Sequence, residues 1–152
     1  MKVKRVISAK SSRFSAQIFN IASVAAISAG VSALVLGKLL AGQKIGFLPL
    51  VLSFPPLMIW LGASIFVYAS IAHHPNPHTR QYHRWAGYRF YAATGAMMVF
   101  GQPLYELLQG WNGIMVVWAV VFLIVVPWGL YAIWKAARDD WQDVTIEVAV
   151  NE

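Results

Sequence analysis

All four histidines of the chain, His73, His74, His78 and His83, fall inside IAHHPNPHTRQYHRWAGYRFY, residues 71–91. Neutral imidazoles ligate zinc, copper, iron and haem iron. His73 and His74 close one apolar segment and His83 stands just before the next, so a turn between the segments places them at one membrane depth. Pro75, Asn76 and Pro77 stiffen that turn and hold its two ends in register. The chemistry on offer is a bis-histidine haem b held by two of His73, His74 and His83, or a divalent-metal site drawing on all four histidines. Two features oppose it. The stretch contains no Asp or Glu, and helices joined by so short a loop approach too closely to hold a haem between them. Headgroup contact and loop capping are the competing roles.

Other polar residues stand inside apolar surroundings. Arg89 lies one to two turns into the third apolar segment, close enough to its edge to snorkel. Glu106 lies near the opposite end, in GQPLYELLQG. An intramembrane carboxylate invites a proton, ion or quinone role, although a turn from the interface it is simply solvated. Gln17 and Asn20, in the first segment, are candidates for hydrogen bonds between helices. The sequence holds no nucleophile–base constellation, no Gly-rich phosphate loop and no zinc-protease motif, so no motif supports catalysis on soluble substrates. The absence of cysteine removes thiolate metal sites, iron–sulfur clusters and covalent haem attachment.

The elements that must position these residues are helices. Of 152 residues, 59% are hydrophobic and only 12% charged, against ~45–50% and ~25% in soluble domains. Such a chain cannot cover its apolar surface with polar groups, which predicts an all-α integral membrane protein. A span needs about 20 mostly apolar residues. Four segments qualify, at about 14–37, 54–72, 86–108 and 111–134, and they predict four transmembrane helices in an antiparallel bundle. The transmembrane domain then covers 14–136, between a basic N-terminal lead (1–13) and a polar tail (137–152).

Within SFPP, two adjacent prolines would remove two helical hydrogen bonds. Making Ser53 an N-cap puts Pro55 and Pro56 in a first turn, where they cost little. KIGFLPLVL before it then becomes a re-entrant or interfacial piece, and one kinked helix is the alternative. Ala22, Ala26, Gly30 and Ala33 place small side chains at helical spacing in the first segment, which permits close helix approach. The tail sequence DVTIEVAVNE alternates branched and polar residues, a strand signal. A lone strand is unstable, so this one is expected to be disordered or to pair with another protein or another copy.

With four spans, ten of the twelve Lys and Arg fall on the side of the termini and the histidine turn; only Lys38 and Lys44 face the other way. This positive-inside asymmetry puts both termini in the cytoplasm. The basic lead reads as that of an uncleaved signal anchor in a bacterial inner membrane, with a mitochondrial inner membrane as the less favoured setting. The partners expected are the lipid bilayer and other membrane subunits or further copies of the chain; nucleic acid is not among them. The function expected is that of a non-catalytic subunit or assembly factor of a larger membrane complex. A haem- or metal-binding redox protein is the alternative, and an oligomeric small-solute or ion transporter using Glu106 is the second.

Overall fold

The computed structural model describes residues 2–149 and is mostly helical. Its elements, in order, are strand β1 (Lys2–Ile7), helices α1 (Ala9–Leu39), α2 (Leu48–His73), α3 (Pro77–Leu107) and α4 (Trp111–Arg138), and strand β2 (Val144–Ala149). Three helices, α1, α2 and α4, are long and apolar enough to cross a membrane. The fourth, α3, is as long as α1, but its first half carries His78, Arg80, His83, Arg84 and Arg89, and it falls short in apolar density.

Helix α1 is the hub, packing against each of the other three. Its buried positions Ala16, Phe19, Asn20, Ser23, Ala26, Ile27, Gly30, Ala33 and Leu34 recur at steps of three and four, which sets one inward face. Small residues let the neighbours close in: a Cβ on Gly30 would come within 2.5 Å of the Trp118 ring, and one on Gly129 within 2.8 Å of Val24. Here the expected small-residue packing is real contact between α1 and α4. The core gathers Phe19, Ile27, Trp60, Phe90, Val121 and Val125. Trp60 is 1% exposed and satisfies its indole N–H by donating to Ser23 Oγ at 2.8 Å, as a buried Trp must.

The outer surface is also apolar. Phe66 is 78% and Met98 85% exposed, a surface suited to lipid rather than water. Outward-facing aromatics collect in two bands. Trp85, Tyr88 and Tyr91 on α3 stand with Trp128, Tyr131 and Trp134 on α4 toward one end of the bundle, and Tyr105 and Trp111 stand toward the other.

The expected break before the second span is absent. Helix α2 starts at Leu48, with Pro49 in its first turn, and runs unbroken through Pro55 and Pro56. Ser53 is not an N-cap; its buried hydroxyl donates back to the Leu50 carbonyl at 2.7 Å. The prolines free the Val51 and Leu52 carbonyls, which belong to the first turn and a half of the helix. One continuous helix, the alternative reading of SFPP, is the one that forms. Residues 40–47 form turns rather than a re-entrant helix.

The tail is a strand, but its partner is the chain itself. β2 pairs antiparallel with β1, with Val3 opposite Val148, Arg5 opposite Ile146 and Ile7 opposite Val144. The basic lead is thus partly a strand, and it ends at Ser8, whose Oγ accepts from Ser11 N–H as the N-cap of α1. Asp143, just before β2, accepts from Ala9 N–H at 2.7 Å, placing a carboxylate at the positive end of α1.

Candidate functional site

The polar end of the bundle is where β1, the start of α1, the α2–α3 turn and the end of α4 meet. Asn76 caps α3, its Oδ1 accepting from His78 and Thr79 N–H at 2.9 and 3.3 Å, and Pro77 takes the first helical position. The cap directs the side chains that follow. Thr79 is fully buried and its hydroxyl donates to Ser12 O, fastening α3 to α1.

His83, 4% exposed, binds three helices together. Its Nε2 lies 2.7 Å from the Ser15 carbonyl of α1 and its Nδ1 2.5 Å from Ser70 Oγ of α2. A carbonyl only accepts, so Nε2 carries the proton and Nδ1 accepts from the Ser70 hydroxyl. Burial lowers the pKa of His83, holding the ring neutral, as this arrangement requires. The Ser70–His83 contact has the form of a nucleophile and its base, but the far ring nitrogen faces a carbonyl, not an orienting carboxylate.

Of the other histidines, His74 sets its ring edge-to-face against that of His83, centroids 6.1 Å apart. His74 Nδ1 accepts from Asn76 N–H at 3.1 Å, and burial lowers its pKa also. His78 stacks on Trp141 with ring centroids 4.4 Å apart, and its Nε2 stands 3.0 Å from Asp139 Oδ2. The same oxygen accepts from the Tyr82 hydroxyl at 2.6 Å; burial and that carboxylate together raise the Tyr82 pKa. His73 ends α2, exposed. Among the described residues, no three histidine or carboxylate side chains converge as metal ligands. A metal or haem iron at His83 would have to displace Ser15 or Ser70.

The remaining candidates divide between the two ends. Gln17 Nε2 donates to Ile133 O of α4 at 3.0 Å. Arg89 does not reach toward the membrane edge but turns inward, its Nη2 donating to the buried Asn20 Oδ1 at 2.7 Å. Glu106 lies far away, exposed, accepting from Gln102 on its own helix at 2.9 Å. Asp139 and Trp141 organise the polar end and were not among the expected site residues. RDDW does put an acid and an aromatic just past the last span, but spacing alone does not reveal that both meet His78.

Between α3 and α4 lies a cleft of about 730 Å³. At its polar end are His78, Gln81, Tyr82 and Lys135; deeper are Arg89 and Trp128, then Val120, Leu123 and Ile124. Compared with protein-family models, curated proteins and solved structures, the chain shows no significant match.

Proposed function

We propose that this protein is a small accessory or scaffold subunit of a larger membrane complex, crossing a bacterial inner membrane four times with both termini in the cytoplasm. One observation carries the reading: β1 and β2 form a two-stranded ribbon that ties the two ends of the chain together outside the bundle. One face of the ribbon carries Val3, Ile7, Val144, Ile146 and Val148 around a single charge, Arg5, with Val3 42% and Val148 39% exposed. Two strands alone are marginal in water, and both outer edges of this sheet are unpaired, ready templates for a partner strand.

The same pairing bears on the number of crossings. Strands that hydrogen-bond to each other lie on one side of a membrane, so the chain between them crosses an even number of times. With three helices apolar enough to cross, an even count supports reading α3 as the fourth. The aromatic bands agree: Tyr88 to Tyr105 spans ~26 Å along α3 and Trp111 to Tyr131 ~30 Å along α4, at 1.5 Å per residue. That matches a hydrocarbon core of about 30 Å with aromatics at both interfaces. The excess of Lys and Arg on the ribbon side supports the cytoplasmic assignment.

The test is purification of the full tagged chain from its native membrane in mild detergent. Partner chains are expected to co-purify, and to be lost when Ile146→Asp and Val148→Asp charge the apolar face of the ribbon. Recovery of a homogeneous species containing only this chain overturns the proposal.

A further inference from the structure

We propose that the α3–α4 cleft is a binding site for one membrane phospholipid with a net anionic headgroup. The inference needs the chain to span a membrane, not that it belong to a larger complex. Its first support is shape and position. The cleft runs from Lys135 to Leu123 along α4, ~18 Å at 1.5 Å per residue, from the polar end into the apolar girth of the bundle. Leu123 and Trp128 are 64% and 59% exposed, so the cleft opens sideways, where acyl chains are. Val120, Leu123 and Ile124 line its inner end, and Trp85 and Trp128 stand among the interfacial aromatics.

The second support is charge. Arg89 and Lys135 line the cleft, and no Asp or Glu does. Arg89 has one neutral partner, Asn20. Among the described residues no carboxylate lies within ion-pairing distance of it. A partly buried guanidinium without a counter-charge carries a desolvation penalty that an anion relieves, and its remaining N–H donors suit a phosphate, which the planar fork grips well. Asp139, which binds the rim residues Tyr82 and His78, is occupied by them. Arg80 and Arg84 line the adjoining groove and add to the positive potential.

The third support is what the cleft lacks. A zwitterionic headgroup carries an ammonium beside its phosphate, which Arg89 and Lys135 repel and no lining carboxylate receives. The faces of Trp85, Trp128 and Tyr131 can hold a choline, so the discrimination rests on the two cations. The geometry therefore favours phosphatidylglycerol over phosphatidylcholine, with the phosphate between Arg89 and Lys135 and a chain along Leu123.

Native mass spectrometry of the full chain, released from detergent with each lipid added in turn, tests this. Wild type is expected to retain one phosphatidylglycerol about tenfold better than phosphatidylcholine, as two cations beside a net anionic rather than a neutral headgroup imply. Arg89→Gln and Lys135→Gln should each erode that preference, while Arg13→Gln, which removes the same charge outside the cleft, should leave it intact. Leu123→Trp, which fills the cleft, should lower retention of both lipids. Should Arg89→Gln fail to fold, the exposed Lys135→Gln still decides. Equal retention of the two lipids by wild type overturns the proposal, as does an undiminished preference in Lys135→Gln. So does complete displacement of the lipid by inorganic phosphate, which would mark a site for free anions.

Discussion

The two ends of the bundle hold their polar groups in opposite ways. At the ribbon end His83, Thr79, Asn20 and Gln17 each hydrogen-bond to a different helix from their own or are bonded by one. At the far end Gln102 and Glu106 satisfy each other on a single helix, exposed, and the α3–α4 turn is closed by Gln109 and Gly110 at positive φ. Both ends are polar, yet only one uses polarity to fix how the helices meet. Buried polar groups leave costly orphans when a partner is lost, whereas exposed ones fall back on water.

That contrast can be broken or sharpened by substitution. The largest effect is expected between the ends, in the apolar core: Trp60→Ala removes the largest fully buried side chain and should cost about 3–5 kcal/mol, read by denaturant unfolding in detergent. His83→Ala should come next. It removes the partner of the Ser70 hydroxyl and leaves the Ser15 carbonyl only its bond within α1, a loss of about 1–3 kcal/mol. Glu106→Gln, its counterpart at the far end, should stay within about 0.5 kcal/mol, and equal losses at the two sites would erase the distinction.

Acid should also act at one end. The His83 and His74 pKa values are lowered by burial, so the unfolded chain takes up protons at those rings first as pH falls. Their stabilising contribution is complete above the ordinary histidine value of about 6.5. It is lost as pH drops through that value toward the folded-state pKa values. Melting curves from pH 7.5 down to 5 should show this decline, and His83→Ala should flatten it. The smallest effect is expected at the ribbon's Lys2–Glu147 ion pair, 3.3 Å apart with both side chains more than half exposed. Lys2→Ala should lower the melting point by an amount worth less than about 1 kcal/mol.

Helix positions were legible in the sequence because apolar length and small-residue spacing act locally. Asn76 and Pro77 could be read as stiffening the turn, and the strand character of residues 144–149 followed from alternation. What was not legible depends on partners. β1 escaped notice because Lys4 and Arg5 interrupt its alternation, so the tail looked unpaired. Pro55 and Pro56 read as a helix start because proline is favoured in a first turn, whereas α2 begins seven residues earlier, at Leu48, with Pro49 in that place. Of the four clustered histidines, His74 and His83 come together, ring centroids 6.1 Å apart, while His83 also bonds Ser15 and Ser70 and His78 turns to Asp139. Proximity along the chain does not determine convergence in space.

The even number of crossings, with α3 as the fourth, is the claim on which the membrane reading rests. Because the chain has no cysteine, single-cysteine variants report topology cleanly to a membrane-impermeant maleimide in intact cells. His73→Cys and Thr145→Cys should stay unlabelled until the cells are opened, while Gln43→Cys and Asn112→Cys react at once. If His73→Cys and Asn112→Cys instead behaved alike, α3 would not cross, and if His73→Cys and Thr145→Cys differed, the even count and the account with it would fail.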